Sequence, residues 1–121
     1  MAAFDWNKFY DVGNHLKEYS DNEEYQRSAI GRYYYACFNL SKSYFEQKHH
    51  VLGHKNVHKT LINCLKNSNN EYECELSECL DKLRKYRNNA DYDNKFRENN
   101  IIKTENTVNE IFNIFKKLEL D

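Results

Sequence analysis

Ser28-Ala29-Ile30-Gly31-Arg32-Tyr33-Tyr34-Tyr35-Ala36-Cys37-Phe38 reads as the middle of a helix with two sides to cover. Counting on by threes and fours, Ile30, Tyr34, Cys37, Ser41 and Tyr44 or Phe45 make one bulky stripe. Ser28, Ala29, Arg32, Tyr35, Ala36 and Asn39 make a second face, rich in small residues. A helix packable on two sides needs neighbours on two sides, which puts this stretch at the centre of a helical bundle. The small residues let a neighbouring helix approach closely. Gly31, costing about 1 kcal/mol against Ala in a helix interior, suggests the same crowding.

Outward from that centre, the second helix begins after Asp21-Asn22 and continues to about Gln47. Glu23 and Glu24 occupy its first turn, where the macrodipole favours anions. A first helix is expected from Asp5 as N-cap to about Ser20, burying Phe9, Val12, Leu16 and Tyr19, with Trp6 and Tyr10 widening the stripe. His49-His50-Val51-Leu52-Gly53-His54 breaks the period and reads as a loop. A third helix, from about Lys55 to Asn67, buries Val57, Leu61, Cys64 and Leu65. A fourth, from about Glu71 to Asn89, buries Leu76, Cys79, Leu80, Leu83 and Tyr86. A fifth, from about Ile102 to Leu118, buries Val108, Ile111, Phe112, Phe115 and Leu118. Asp91 to Asn100, with Lys95 and Arg97, is expected as a surface loop. The fold class is therefore all-α: an antiparallel bundle of about five helices, with 1–121 as a single domain.

Composition agrees with that class. Proline is absent and glycine occurs only at positions 13, 31 and 53, which removes the usual punctuation of strand-rich folds. The 18 basic and 19 acidic residues nearly cancel, so net charge selects neither nucleic acid nor a membrane, although a local basic patch is still able to hold RNA. No apolar run reaches the roughly 18 residues of a membrane span, and Met1-Ala2-Ala3-Phe4-Asp5 is unlike a secretion signal; a cytoplasmic location without membrane partners is expected. Cys37, Cys64, Cys74 and Cys79 contain no C-x-x-C pair and no finger spacing with His. They are expected as reduced core thiols, with no metal and no cofactor.

The fourth helix holds the oddity. Its buried stripe, extended four residues from Leu83, lands on Arg87, and extended seven lands on Ala90. An arginine on the apolar side keeps its charge and needs an anionic partner or an open groove. A salt bridge to Asp91, four residues on, or to a carboxylate of another helix, is the structural explanation. An anion or phosphate site is the functional one. Among the ten tyrosines, Tyr33, Tyr34 and Tyr35 lie on the central helix, where packing is the first expectation and base stacking the second.

Three segments together resemble the HEPN family, over nearly the full chain. Arg32-Tyr33-Tyr34-Tyr35-Ala36-Cys37-Phe38 is similar to its second-helix pattern of Arg, any residue, Tyr-Tyr-Ala, any residue, Phe. His54-Lys55 looks like the His-Lys opening of its third helix, and Arg87-Asn88-Asn89-Ala90-Asp91-Tyr92 resembles the end of its fourth. The resemblance implies a homodimer whose fourth helices face each other, with both Arg87 side chains in one cleft. In the family's ribonucleases that Arg precedes a polar residue such as Asn, and a His follows with four to six residues between. Metal-independent RNA cleavage there assigns charge stabilisation to Arg and proton transfer to His.

In this chain those spacings hold Tyr92, Asp93 and Asn94 instead of His. The catalytic candidates are accordingly Arg87 and Asn88, with His54 from the third helix as the stand-in base; the binding candidates are Arg87, Asp91, Tyr92 and Arg32. Many small members of the family resemble this chain in carrying Ala-Asp-Tyr instead of the His, and the resemblance implies a minimal nucleotidyltransferase encoded beside it, which adds AMP to a tyrosine near the motif. The usual acceptor position is Asn94 here, which leaves Tyr92 as the candidate AMP acceptor. The expected function is a homodimeric module that binds RNA, a nucleotide or a nucleotidyltransferase partner through the Arg87 cleft, in a toxin-antitoxin or defence setting. The alternatives are a metal-independent endoribonuclease toxin and a structural adaptor without a ligand.

Overall fold

The computed structural model describes residues 4–120. It contains α1 (Asn7–Tyr19), α2 (Glu23–Lys48), α3 (Val57–Lys66), α4 (Glu71–Tyr92) and α5 (Asn99–Leu120), with no strand among the described residues. The all-α bundle expected from the sequence is the observed fold. α2 packs against all four other helices, and α4 packs against α2, α3 and α5, so these two form the centre.

The bulky stripe of α2 is buried as its period requires: Ile30, Tyr34, Cys37, Ser41 and Phe45 are all inside. Its second face divides. Ala29 and Ala36 are buried with Tyr33 between them, whereas Ser28 and Arg32 face out. The crowding expected at Gly31 is absent, since a Cβ there would meet nothing nearer than Asp91 Oδ1 at 3.9 Å. It is Gly13 of α1 that is crowded: a Cβ would stand 2.8 Å from Cε1 of Tyr33. The small residue that lets two helices approach is thus on α1, directly over the Tyr33 ring.

That contact rotates α1 away from its expected orientation. Gly13 is its buried residue, while Val12 and Tyr19 are 42 % and 65 % exposed. α1 also begins at Asn7, with Asp5 accepting a hydrogen bond from the Asn7 backbone N–H at 3.0 Å from one position further out.

α4 starts on Asn70, whose side chain accepts from the N–H groups of Tyr72 and Glu73. Glu73 is the buried acid of the fold, 1 % exposed. Its carboxylate accepts from Tyr44 at 2.5 Å, Ser68 at 2.6 Å and His49 at 2.9 Å, tying α2 and the α3–α4 turn to the first turn of α4. Burial pushes its proton affinity up, and the hydrogen bonds from Ser68, Tyr44 and His49 outweigh that, so the carboxyl titrates below its ordinary range.

The far end of α4 departs from expectation. The helix runs on to Tyr92 and α5 begins at Asn99, which shortens the Asp91–Asn100 loop to residues 93–98. The cause is Asn89, a buried amide instead of a helix stop. Its Nδ2 donates to Asp93 Oδ2 and to the Lys95 carbonyl, and its Oδ1 accepts from Arg97 N–H and Asn100 Nδ2. Arg27 of α2 closes the other side of the loop, donating to the carbonyls of Ala90, Asp93 and Asn94 and lying 5.2 Å from the Phe96 ring.

Cys37 and Cys79 are buried thiols, as expected, but Cys64 and Cys74 are only half-buried, the Cys74 thiol turning to the Lys66 and Ser68 carbonyls. Among the described residues no helix is long and apolar enough to cross a membrane.

Candidate functional site

Extending α4 past Asn89 places Arg87, Asp91 and Tyr92 on continuous helix, and spacing alone then brings Arg87 to Asp91. Arg87 Nε donates to Asp91 Oδ2 at 2.7 Å. Its Nη2 donates to the hydroxyls of Tyr35 on α2, at 2.9 Å, and of Tyr92, at 3.3 Å. Three rings frame the guanidinium, with Cζ 5.3 Å from the centroids of Tyr35 and Tyr92 and 5.9 Å from that of Tyr34. Nη1 has no hydrogen-bond acceptor among the described residues. Burial works against the charge, but Tyr35, Asp91 and Tyr92 outweigh it, so the guanidinium is held firmly protonated.

A second basic group stands in the same cluster. His58, in the first turn of α3, stacks on Phe38 at 3.9 Å between centroids and on Tyr34 at 5.6 Å, with its Nδ1 hydrogen-bonded to the Tyr34 hydroxyl at 2.6 Å. Burial, then the charges of Arg84 and Arg87, hold its pKa below the usual histidine range. Burial also raises the Tyr34 hydroxyl, more strongly than Arg84 and Arg87 lower it. That hydroxyl is buried and has no other acceptor among the described residues, so it donates to Nδ1. The proton of the neutral ring then sits on Nε2.

The other expected residues lie at varying distance from this centre. Asp91 and Tyr92 join Arg87 directly, and Tyr92 is 69 % exposed with its hydroxyl against the guanidinium. Arg32 is exposed, with its guanidinium 5.0 Å from the Phe9 ring, and it lines a hollow of about 220 Å³ with Ser28, Gly31, Tyr35 and Asp91. Asn88 is exposed on the next helical position. His54 is exposed in the segment before α3, where the charge that feels it is Glu46. A larger hollow, about 510 Å³, lies at the other end of α4 beside Glu73, where the carboxylate already has its three partners.

Sequence reasoning gives His58 a weaker claim than His54 and Tyr35 a packing role before a stacking one, and it does not find the loop-holding roles of Arg27 and Asn89. For His58 a signal exists: it stands three, four and seven residues before Leu61, Ile62 and Leu65, all buried, so it heads the inward stripe of α3 just as Arg87 extends that of α4.

The family model for the HEPN domain matches residues 14–119. The chain belongs to the HEPN domain family. Comparison with curated proteins and with solved structures gave no match.

Proposed function

We propose that this chain is a homodimeric, cytoplasmic HEPN module that binds a phosphate-bearing ligand, RNA or a nucleotide, through the cleft around Arg87. The observation that carries this reading is the guanidinium itself. It is permanently charged, fixed by Asp91, Tyr35 and Tyr92, framed by aromatic rings, and still holds an unused N–H pair on Nη1. An arginine in that state offers a phosphate a charge-assisted hydrogen bond, and the exposed Tyr92 ring offers a base a stacking face. Arg32, along the hollow shared with Asp91, extends the positive charge.

Binding is favoured over cleavage because Tyr92 stands where the family's ribonucleases carry His, and because His58, with Nδ1 taken by Tyr34, is a donor and not a free base. Ribonuclease action through Arg87, Asn88 and a histidine is the second reading, supported by the nearness of His58 to Arg87. RNA incubated with the purified protein in EDTA separates the two: intact RNA, bound with an affinity that Arg87→Ala abolishes, supports the module. Cleavage lost in Arg87→Ala establishes the enzyme instead, and no binding at all supports a structural adaptor. The exposed Tyr92 side chain, whose hydroxyl accepts from Arg87 Nη2 at 3.3 Å, also suits it as the residue on which a nucleotidyltransferase partner in a toxin-antitoxin pair would place AMP. Mass spectrometry of Tyr92→Phe beside the parent chain, after co-expression with that partner, tests the assignment.

A further inference from the structure

Two donors around the same pair of tyrosines have no protein acceptor among the described residues: Arg87 Nη1 and, across the Tyr34 and Tyr35 rings, His58 Nε2. The His58 ring is held from two sides. Phe38 lies nearly parallel to it, 18° between planes, and Tyr35 meets it edge-on at 78°. Its tautomer is fixed by the Tyr34 hydroxyl. A half-buried imidazole kept neutral, oriented and with Nε2–H unspent is a preorganised donor.

We infer that His58 is a ligand-contacting residue of the Arg87 site, presenting Nε2–H to a phosphoryl oxygen of the bound nucleotide or RNA while Arg87 supplies the charge. The inference rests on the proposed binding role of Arg87 and adds to it a second helix, α3, and a pH dependence. The charged groups that face the imidazole come from α4, namely Arg84 and Arg87, with Asp91 paired to Arg87 and Asp81 acting on Tyr34; α2 contributes the neutral hydroxyls of Tyr34 and Tyr35. In the free protein the arginines oppose a third positive charge. A phosphoryl anion offsets them, so His58 takes up a proton more readily in the complex, and by linkage the ligand binds more tightly as pH falls through the histidine range.

The test is a titration of the wild-type full chain, followed by the His58 imidazole resonances and by isothermal calorimetry. Three probes are used: inorganic phosphate, AMP, and a six-nucleotide oligoribonucleotide with free hydroxyl ends. Tight binding of AMP with little response to the oligonucleotide identifies a terminal phosphate, and the reverse identifies a phosphodiester. For the probe that binds, the His58 titration midpoint should rise. His58→Phe, which keeps a ring in the stack, should weaken binding about tenfold and remove its pH dependence, and His58→Gln, which restores a donor near Nε2, should recover most of the affinity.

Unmoved His58 resonances in wild-type protein that binds in an Arg87-dependent manner overturn the inference and leave the role of Arg87 intact. A His58 response that survives Arg87→Ala does the opposite, keeping the donor while removing Arg87 as the centre. Failure of wild type to bind any probe overturns both.

Discussion

Arg87 and Asp91, one turn apart on α4, form an ion pair in which the acid is the more exposed partner, 34 % against 18 % of the side chain. Asp91 therefore occupies the Nε edge of the guanidinium while leaving Nη1 open, and it acts as a built-in competitor for any anion that reaches Arg87. Asp91→Asn keeps the shape and an oxygen acceptor but removes the negative charge. Affinity for the oligoribonucleotide should rise about fivefold, on the order of 1 kcal/mol, measured by fluorescence anisotropy at one fixed salt concentration. A fall in affinity would mean that Asp91 orients Arg87 and does not compete with the ligand.

The two helical glycines should respond with opposite sign. Gly31→Ala adds a methyl with ordinary contacts and should stabilise the chain by about 0.5 kcal/mol or more through helix propensity. Gly13→Ala drives its Cβ into the Tyr33 ring, which is buried and held by a 2.6 Å hydrogen bond to Asn14, so the ring has little room to yield. A loss of about 1–3 kcal/mol is expected, read from urea midpoints at constant m.

Removing the amide of Asn89 should release the short α4–α5 connection. Asn89→Ala leaves partners without their hydrogen bonds on both sides of the loop, a cost of about 3 kcal/mol. Lys95 and Arg97 are exposed on that loop, so trypsin should nick the variant there well before the parent chain. Equal cleavage rates would show that Arg27 alone holds the segment.

The stability profile against pH should have two limbs. His58 has a folded pKa below its ordinary 6.5, because of burial and then Arg84 and Arg87, so as pH falls the unfolded chain takes the proton first. Its contribution is complete above about 6.5 and is lost as pH falls below that toward the folded value. Glu73 is depressed below its ordinary 4.5, so its contribution is complete above that pH and disappears as pH falls through the folded value. Urea midpoints across this range should show both limbs, and His58→Phe should flatten the upper one alone.

How far the sequence could be read depended on whether a residue's role is set by its own helix. The stripes of α2 and α4 lie within one helix, so their period was visible, and the same holds for Arg87 with Asp91 four residues on. The end of α4 expected at about Asn89 falls short of the observed Tyr92 because an asparagine amide is able either to compete with its own backbone or to reach beyond it. Here the amide turns toward the next connection, a choice made by Asn100 and the chain at 93–97. Which glycine is crowded depended on the partner helix, since only the approach of α1 to Tyr33 distinguishes Gly13 from Gly31. His58 is legible by the same period that singles out Arg87, since it heads the inward stripe of α3, whereas the His-Lys pair at 54 and 55 gives the stronger claim to His54, one turn upstream.

The seating of α1 on Tyr33 bears on the order in which the molecule comes apart. Among the described residues, α2 is the helix that comes close to the backbone of α1; α5 reaches it through side chains, in the Lys17–Glu105 ion pair at 2.7 Å and the edge-on contact of Tyr10 with Phe112. α2 and α4 each touch three helices or more. α1 is therefore a shutter hinged on one neighbour: its amides should exchange with solvent through excursions that lift it from α2, while those of α2 and α4 wait for global unfolding.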